Sequence, residues 1–269
     1  MNKILLIGCG HMGSALLKSW HQNSKNEFTI VDPKKYIIIK NKYPQRVNTF
    51  KYIKGIKDTK IFNTIVLAVK PQFIEKVMKD FKNFQFNKNV LVISIIAGKK
   101  ISFFIKLLPK KIQFVRVMPN MPALINKGMT CLVSNRYVTT KNKIHSSTLF
   151  KMVGKIIWLN NESDLDKITA ISGSGPAYYF LFIDLLQKAS QELGLNKNIS
   201  KKLVEQTALG SIELLFQNAK NAEQLTQMIA IKGGTTEAAI NIFRQKNQLK
   251  KIIKSAVSSA FKRARELGK

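Results

Sequence analysis

Apolar residues follow two different patterns along this chain, and the change falls near residue 162. Up to residue 159, short stretches that are mainly apolar recur at residues 4–7, 27–32, 63–69, 90–98, 112–118, 130–134 and 155–159. Runs of this length, bounded by glycine, proline and polar residues, read as strands covered on both faces. Stretches with helical spacing lie between several of them, at residues 14–20, 72–81, 101–108 and 141–153. Strand–helix alternation predicts an α/β fold built on a doubly wound parallel sheet. After the polar break at residues 160–164 the strands stop. Residues 176–193, 200–216, 222–231, 236–245 and 249–267 all carry helical periodicity. The expected division is therefore a sheet domain at 1–161 and an all-helical domain at 162–269. Residues 177–183 are apolar on every side of their helix, which calls for burial all round and suggests a second subunit as the cover.

The first run, Ile4-Leu5-Leu6-Ile7, leads into Gly8-Cys9-Gly10-His11-Met12-Gly13 and then a helix. In that setting G-x-G-x-x-G has a mechanism. The first glycine makes the turn, the second admits a pyrophosphate close to the backbone, and the third lets helix and strand pack. The helix start then offers free N–H groups and a positive dipole end. The second strand ends in Asp32, 22 residues after Gly10, near the ~20 expected for a carboxylate on the adenosine ribose. Pro33-Lys34-Lys35 follows. Cofactor choice is left open: Asp32 suits the free 2′-hydroxyl of NAD, and Lys34 or Lys35 suits the 2′-phosphate of NADP.

Composition narrows the reading. The chain has 269 residues and a formal net charge of +30, which invites a polyanion partner. Only six of the 45 basic residues are Arg, and the lysines are scattered. The excess reads as a general bias of composition, so no nucleic-acid partner is expected; the charge would still steer anionic ligands. The only cysteines, Cys9 and Cys131, suit a reducing compartment as free thiols. No metal-ligand spacing is present, and no apolar run reaches the ~20 residues that span a bilayer. A cytoplasmic protein with no membrane association is expected.

Two further stretches carry chemistry. Met118-Pro119-Asn120-Met121-Pro122-Ala123 is a stiff loop after the carboxyl end of a strand, where open α/β sheets bind ligands. Lys232-Gly233-Gly234-Thr235-Thr236 lies between two helices. Its glycines allow an anion nest small enough for a carboxylate, and Thr235 or Thr236 can cap the following helix.

With Ala68-Val69-Lys70-Pro71-Gln72, Val115-Arg116-Val117 and Ser172-Gly173-Ser174-Gly175-Pro176-Ala177-Tyr178, these motifs occur in the order seen in pyrroline-5-carboxylate reductases. The chain resembles that family over essentially its whole length. The resemblance implies a Rossmann domain followed by an all-α dimerisation domain. It implies reduction of 1-pyrroline-5-carboxylate to L-proline by NADPH or NADH, the last step of proline biosynthesis. It also implies a homodimer, which in this family often assembles further into a homodecamer. Residue by residue, Ile7, Gly8, Cys9, Gly10, His11 and Met12 would lie along the pyrophosphate. Asp32 and Lys34 would sit near the adenosine ribose, and Asn48 at the adenosine end. Ala68, Val69, Lys70, Pro71 and Ala97 would line the cofactor toward the nicotinamide, and Glu162 is near the cofactor in some relatives. Gly234, Thr235 and Thr236 would hold the substrate carboxylate, with the Thr236 hydroxyl at the ring nitrogen as the catalytic group. Where the family has Ser-Pro before the two glycines, this chain has Ile231-Lys232, which makes the turn less rigid.

Two other readings compete. A β-hydroxyacid dehydrogenase needs a lysine four residues after its last motif glycine. Here Tyr179 stands at that place, and the helix has no lysine before Lys188. A non-enzymatic nucleotide or nucleic-acid binder would explain the charge and predicts steeply salt-dependent polyanion binding.

Overall fold

In the computed structural model, which describes residues 2–268, side chains of each central strand alternate between two covered faces. On β1 (Lys3–Ile7), Leu5 and Ile7 enter one apolar cluster and Ile4 and Leu6 the other. The same alternation places Val66 opposite Ile65 and Leu67 on β4 (Thr64–Leu67), and Leu91 opposite Val92 on β5 (Leu91–Ser94). Continuous apolar runs are thus explained by two cores, one on each side of a single sheet.

The sheet has eight strands in the order β3-β2-β1-β4-β5-β6-β7-β8. The remaining strands are β2 (Glu27–Val31), β3 (Val47–Phe50), β6 (Gln113–Met118), β7 (Gly128–Ser134) and β8 (Gly154–Trp158). All neighbours are parallel except β6 and β7. The strand order reverses between β1 and β4, so the carboxyl ends of these two strands form the switch point at which such sheets bind ligands. Helices α1 (His11–Asn23) and α5 (Thr140–Lys151) lie on one face. Buried Trp20 of α1 donates from Nε1 to the Leu149 carbonyl at 2.8 Å, stacks on Phe28 and meets Phe150 edge-on. The other helices of this part are α2 (Tyr36–Lys42), α3 (Ile74–Asp80), α4 (Ile101–Ile105) and α6 (Asp164–Ile168). Neither α2 nor β3 is among the elements expected from periodicity. A π-helical turn at Thr169–Gly173 follows α6.

The chain divides into two compact units, Met1–Ser174 with Ala260–Lys269, and Gly175–Ser259. The second unit holds α7 (Gly175–Glu192), α8 (Lys197–Gln217), α9 (Ala222–Ile229), α10 (Thr235–Arg244) and the start of α11 (Gln248–Leu267), and it has no strand among the described residues. α7 and α8 pack together as a hairpin. α9 begins with a capping box between Asn221 and Gln224, which satisfies two orphan helix donors. On α7, Tyr179, Phe180, Leu181 and Leu185 remain exposed, as do Leu203 and Leu209 on α8. No helix among the described residues is long and apolar enough to cross a membrane.

Candidate active site

The glycine turn sits at the switch point and is boxed in by its neighbours. Gly8 has φ +93°, a backbone state in which a side chain is strained. A Cβ there would lie 2.7 Å from the Ala68 carbonyl oxygen and 2.8 Å from Val69 Cγ1. At Gly13 it would overlap the Gly8 carbonyl oxygen. Nothing lies within 4 Å of a Cβ built on Gly10, which is exposed. The turn is therefore closed toward the protein and open outward where a pyrophosphate would approach. Gly10 caps α1 with no side-chain cap. The N–H groups of Gly10, His11 and Met12, which point away from the helix body, find no acceptor among the described residues. That is the donor set an anion at a helix start requires. The residues present fit a dinucleotide pyrophosphate.

Asp32 follows β2, and its carboxylate is already engaged. Oδ2 accepts from the Cys9 N–H at 2.7 Å, and Oδ1 accepts from the N–H groups of Lys34 and Lys35, both at 2.9 Å. The Asp32 N–H donates to the Phe50 carbonyl at 3.2 Å. This residue thus ties the glycine turn to the ends of β2 and β3. The Cys9 thiol is buried beside Ser14, and burial pushes its pKa up, so it stays protonated.

Ala68 and Val69, half-buried, follow β4 and pack against the glycine turn; Lys70 is exposed, and Pro71 opens a short 3-10 turn. Ala97 is half-buried, two residues past the loop start of β5. Beside it, a Cβ on Gly98 would meet the Leu267 carbonyl oxygen at 2.7 Å, so the last turn of α11 packs on this loop's backbone. Ile7, Gly8, Cys9, Gly10, His11, Met12, Asp32, Lys34, Ala68, Val69, Lys70, Pro71 and Ala97 are all at carboxyl ends of strands or in the loops and helix starts that follow. Asn48 is not among them: it lies within edge strand β3, paired with Thr29 and two residues before the strand's end.

The second glycine turn is in the other unit. Gly233 has φ +76°, and its N–H donates to Glu237 Oε2 at 2.7 Å. The Gly234 N–H donates to the Ile231 carbonyl at 3.0 Å. α10 starts at Thr235 with Gly234 as its cap, and no side chain caps it. The threonines are therefore the first two helical residues, not caps. Their N–H groups and hydroxyls have no acceptor or partner among the described residues. The free donors here are on Thr235 and Thr236, while the Gly234 N–H is spent within the turn.

Sequence reasoning gave no role to the ion cluster around Arg116. This residue is buried in β6 and reaches Glu162 Oε1 at 2.9 Å and Asp166 Oδ1 at 3.5 Å. Glu162 Oε1 also accepts from the Ile101 N–H at 2.8 Å. One guanidinium thus joins β6, the start of α4 and α6. The available signal was a lone arginine inside an apolar strand, since buried arginine demands partners. Asn120 links the stiff loop to the serine–glycine turn: Nδ2 donates to the Ser172 carbonyl at 3.2 Å, and Oδ1 accepts from the Met129 N–H at 2.8 Å. No group of three or more His, Cys, Asp or Glu among the described residues is placed to hold a metal ion.

Comparisons with known proteins find matches in both parts of the chain. The family model for pyrroline-5-carboxylate reductase dimerisation matches residues 162–267, and that for coenzyme F420-dependent NADP oxidoreductases matches residues 3–98. The pyrroline-5-carboxylate reductase of Pasteurella multocida (strain Pm70) is 36% identical over 206 residues, 76% of this chain and 74% of that protein. Pyrroline-5-carboxylate reductase 2 of Bacillus subtilis (strain 168) is 31% identical over 274 residues, 99% and 95% of the two chains. Among solved structures, a pyrroline-5-carboxylate reductase from Coxiella burnetii superposes with a TM-score of 0.88 at 32% identity, covering 100% of this chain and 99% of that one. The Plasmodium falciparum pyrroline carboxylate reductase, solved with NADP bound, has a TM-score of 0.86 at 30% identity, covering 100% and 98%.

Proposed function

The chain belongs to the pyrroline-5-carboxylate reductase family, and on that premise we propose that its two glycine turns divide the work of one reduction. It is an NAD(P)H-dependent oxidoreductase that reduces 1-pyrroline-5-carboxylate to L-proline, the last step of proline biosynthesis. The observation that carries the reading is a switch-point glycine turn with unpaired helix-start donors in a chain that also bears this family's dimerisation domain.

In this proposal Ile7 to Met12 hold the pyrophosphate by backbone N–H groups. Ala68, Val69, Lys70, Pro71 and Ala97 shape the nicotinamide end. When bound, the dihydronicotinamide supplies a hydride to the imine carbon. The N–H groups of Thr235 and Thr236 fix the substrate carboxylate. The Thr236 hydroxyl hydrogen-bonds the ring nitrogen and, with a water, brings the proton that completes the amine. Holding two reactants in register can supply ~7–11 kcal/mol of the barrier reduction when alignment is good. The site thus needs orientation more than a strong acid. Free hydroxyls and free N–H groups at the α10 start support these roles.

The assembly is a homodimer built on the exposed apolar side chains of α7 and α8, from which a homodecamer can form; exposed patches of this kind mark interfaces. The buried free thiols of Cys9 and Cys131 support a cytoplasmic setting.

The test is Thr236→Ala, followed by loss of nicotinamide absorbance with pyrroline-5-carboxylate and by separate titration of NADPH and NADH. The expected result is a fall in kcat/KM of ~100-fold or more with nucleotide affinity unchanged. Unchanged turnover removes Thr236 from the mechanism.

A further inference from the structure

The turn that leads into α10 has a definite backbone type. The Gly234 N–H donates to the Ile231 carbonyl at 3.0 Å, which closes a four-residue turn over residues 231–234. Its third residue, Gly233, has φ +76°, close to the ~+80° that marks a type II turn. Types I and II differ by a half-turn of the peptide between the two central residues, here Lys232 and Gly233. Glycine adopts either state readily, and type I is the commoner. The closing hydrogen bond occurs in both, so it does not choose between them. The N–H that changes direction between the two is that of Gly233.

That N–H is the one Glu237 holds. Its Oε2 accepts from Gly233 at 2.7 Å, the length of a hydrogen bond to an ionised acceptor. Glu237 is the third residue of α10, the position from which a capping-box glutamate accepts from the cap residue's own N–H. The cap here is Gly234, and its N–H is already spent on Ile231. Glu237 reaches one residue further back and fixes the central peptide of the turn instead. Lys232 adds no such restraint: it is exposed, and its N–H donates to no acceptor among the described residues. The orientation held in this way sets how the chain enters α10, and so where the free N–H groups of Thr235 and Thr236 point.

We propose that Glu237 is a positioning residue for the substrate: its carboxylate locks the Lys232–Gly233 peptide in the type II state, and the lock aims the Thr235 and Thr236 donors at the carboxylate of the imine. The inference rests on this turn being the substrate site. In this role Glu237 neither touches the substrate nor moves a proton. A substrate carboxylate held alike before and during hydride transfer contributes equally to ground and transition states, so the lock acts on KM and not on kcat.

The experiment is steady-state kinetics of the full-length protein with pyrroline-5-carboxylate at saturating NADPH, with NADPH affinity read by fluorescence titration. Glu237→Ala is expected to raise KM about tenfold, the worth of one hydrogen bond to a charged group, with kcat and NADPH affinity unchanged. Glu237→Gln keeps an acceptor oxygen without the charge and should stay closer to the native KM. Proline suits the second position of a type II turn and needs no N–H there. Adding Lys232→Pro to Glu237→Ala should therefore restore most of the lost KM, a rescue that a role in helix capping alone would not give. Glu213→Ala, at an exposed position on α8, is the control for removal of a negative charge and should behave as native. Three results overturn the lock: a KM unchanged in Glu237→Ala, a KM that falls in both Glu237 variants, or a raised KM that Lys232→Pro fails to rescue. They count against the lock alone when Thr236→Ala is impaired. Native kcat/KM in Thr236→Ala overturns the substrate reading of the turn, and the lock with it.

Discussion

The two glycine turns look alike in sequence and differ in what holds them. Gly8 to Gly13 is clasped from outside itself. Asp32, 23 residues away, accepts its Cys9 N–H, and Ala68 and Val69 fill the space where a side chain on Gly8 would go. Gly233 to Thr236 is held by its own neighbours. Its clasp is Glu237, four residues on, and nothing lies within 4 Å of a Cβ built on Gly233. The difference extends to the units that carry them. The first unit is built from pairings between distant residues, the second from helices whose contacts are local. The first turn thus depends on contacts from distant segments, while the second depends on local ones, and with Ile231-Lys232 before its glycines it has no proline to stiffen it.

Charge shows the contrast at its largest. Arg116 is a buried cation between two carboxylates, and Arg116→Met would leave Glu162 and Asp166 without their counter-ion. Loss of one member of a buried pair costs about 3–5 kcal/mol. In the second unit, the Lys188–Asp184 pair has side chains 62% and 51% exposed, and Lys188→Ala should change stability by less than ~0.5 kcal/mol. Denaturant titration of the two variants checks this. Equal effects would mean that the first unit is not organised around its buried cation.

Backbone shape gives the next effect. Gly8→Ala combines left-handed strain, about 1–2 kcal/mol, with overlap against the Ala68 carbonyl, about 1–3 kcal/mol more. Gly233→Ala carries the strain alone, because its surroundings are open. The first substitution should lower the thermal midpoint clearly more than the second and abolish nucleotide binding. The second should leave nucleotide binding intact and act on KM for the imine substrate. A reversed order of stability would show that the open turn is the rigid one.

The sequence made most of this legible where hydrophobic pattern and motif agree. The central strands, the helices of the second unit and the switch-point turn all follow from continuous apolar runs, helical periodicity and glycine spacing. The short edge strand β3 does not, because Val47-Asn48-Thr49-Phe50 has one buried residue, and its strand character comes from pairing with β2. Helix α2 escaped for a related reason: of its run Ile37-Ile38-Ile39 only Ile39 is buried, so the run traces no helical stripe. Asp32 was legible as a candidate acid at the end of β2, but its three N–H partners were not, since those contacts exist only once the turn has closed. Arg116 was quoted within a motif while its role went unread. An ion cluster between residues 116, 162 and 166 is a property of topology.

The smallest effect is set by pH and sharpens the comparison further, since His11, His21 and His145 all lie in the first unit. His145 is half-buried between Asn2 and Thr64. Its Nδ1 lies 3.3 Å from Asn2 Nδ2, and its Nε2 lies 3.0 Å from Thr64 Oγ1. The partners assign the tautomer: the Asn2 amide donates to Nδ1, and Nε2–H donates to Thr64. Burial lowers the His145 pKa from its ordinary 6.5. Below that value the unfolded chain binds a proton that the folded chain resists, so stability falls as pH drops from 6.5 toward the lower folded value and is level above it. The thermal midpoint should therefore decline with acid over that window in the native protein. His145→Gln, which keeps polar groups in the site without a titrating ring, should flatten the decline. Hydrogen exchange across the same window should show acid-induced opening in the first unit before the second, because residues 175–259 contain no histidine. Exchange rising first in α7 to α10 would mean that local helix contacts, not the His145 imidazole, set the acid limit.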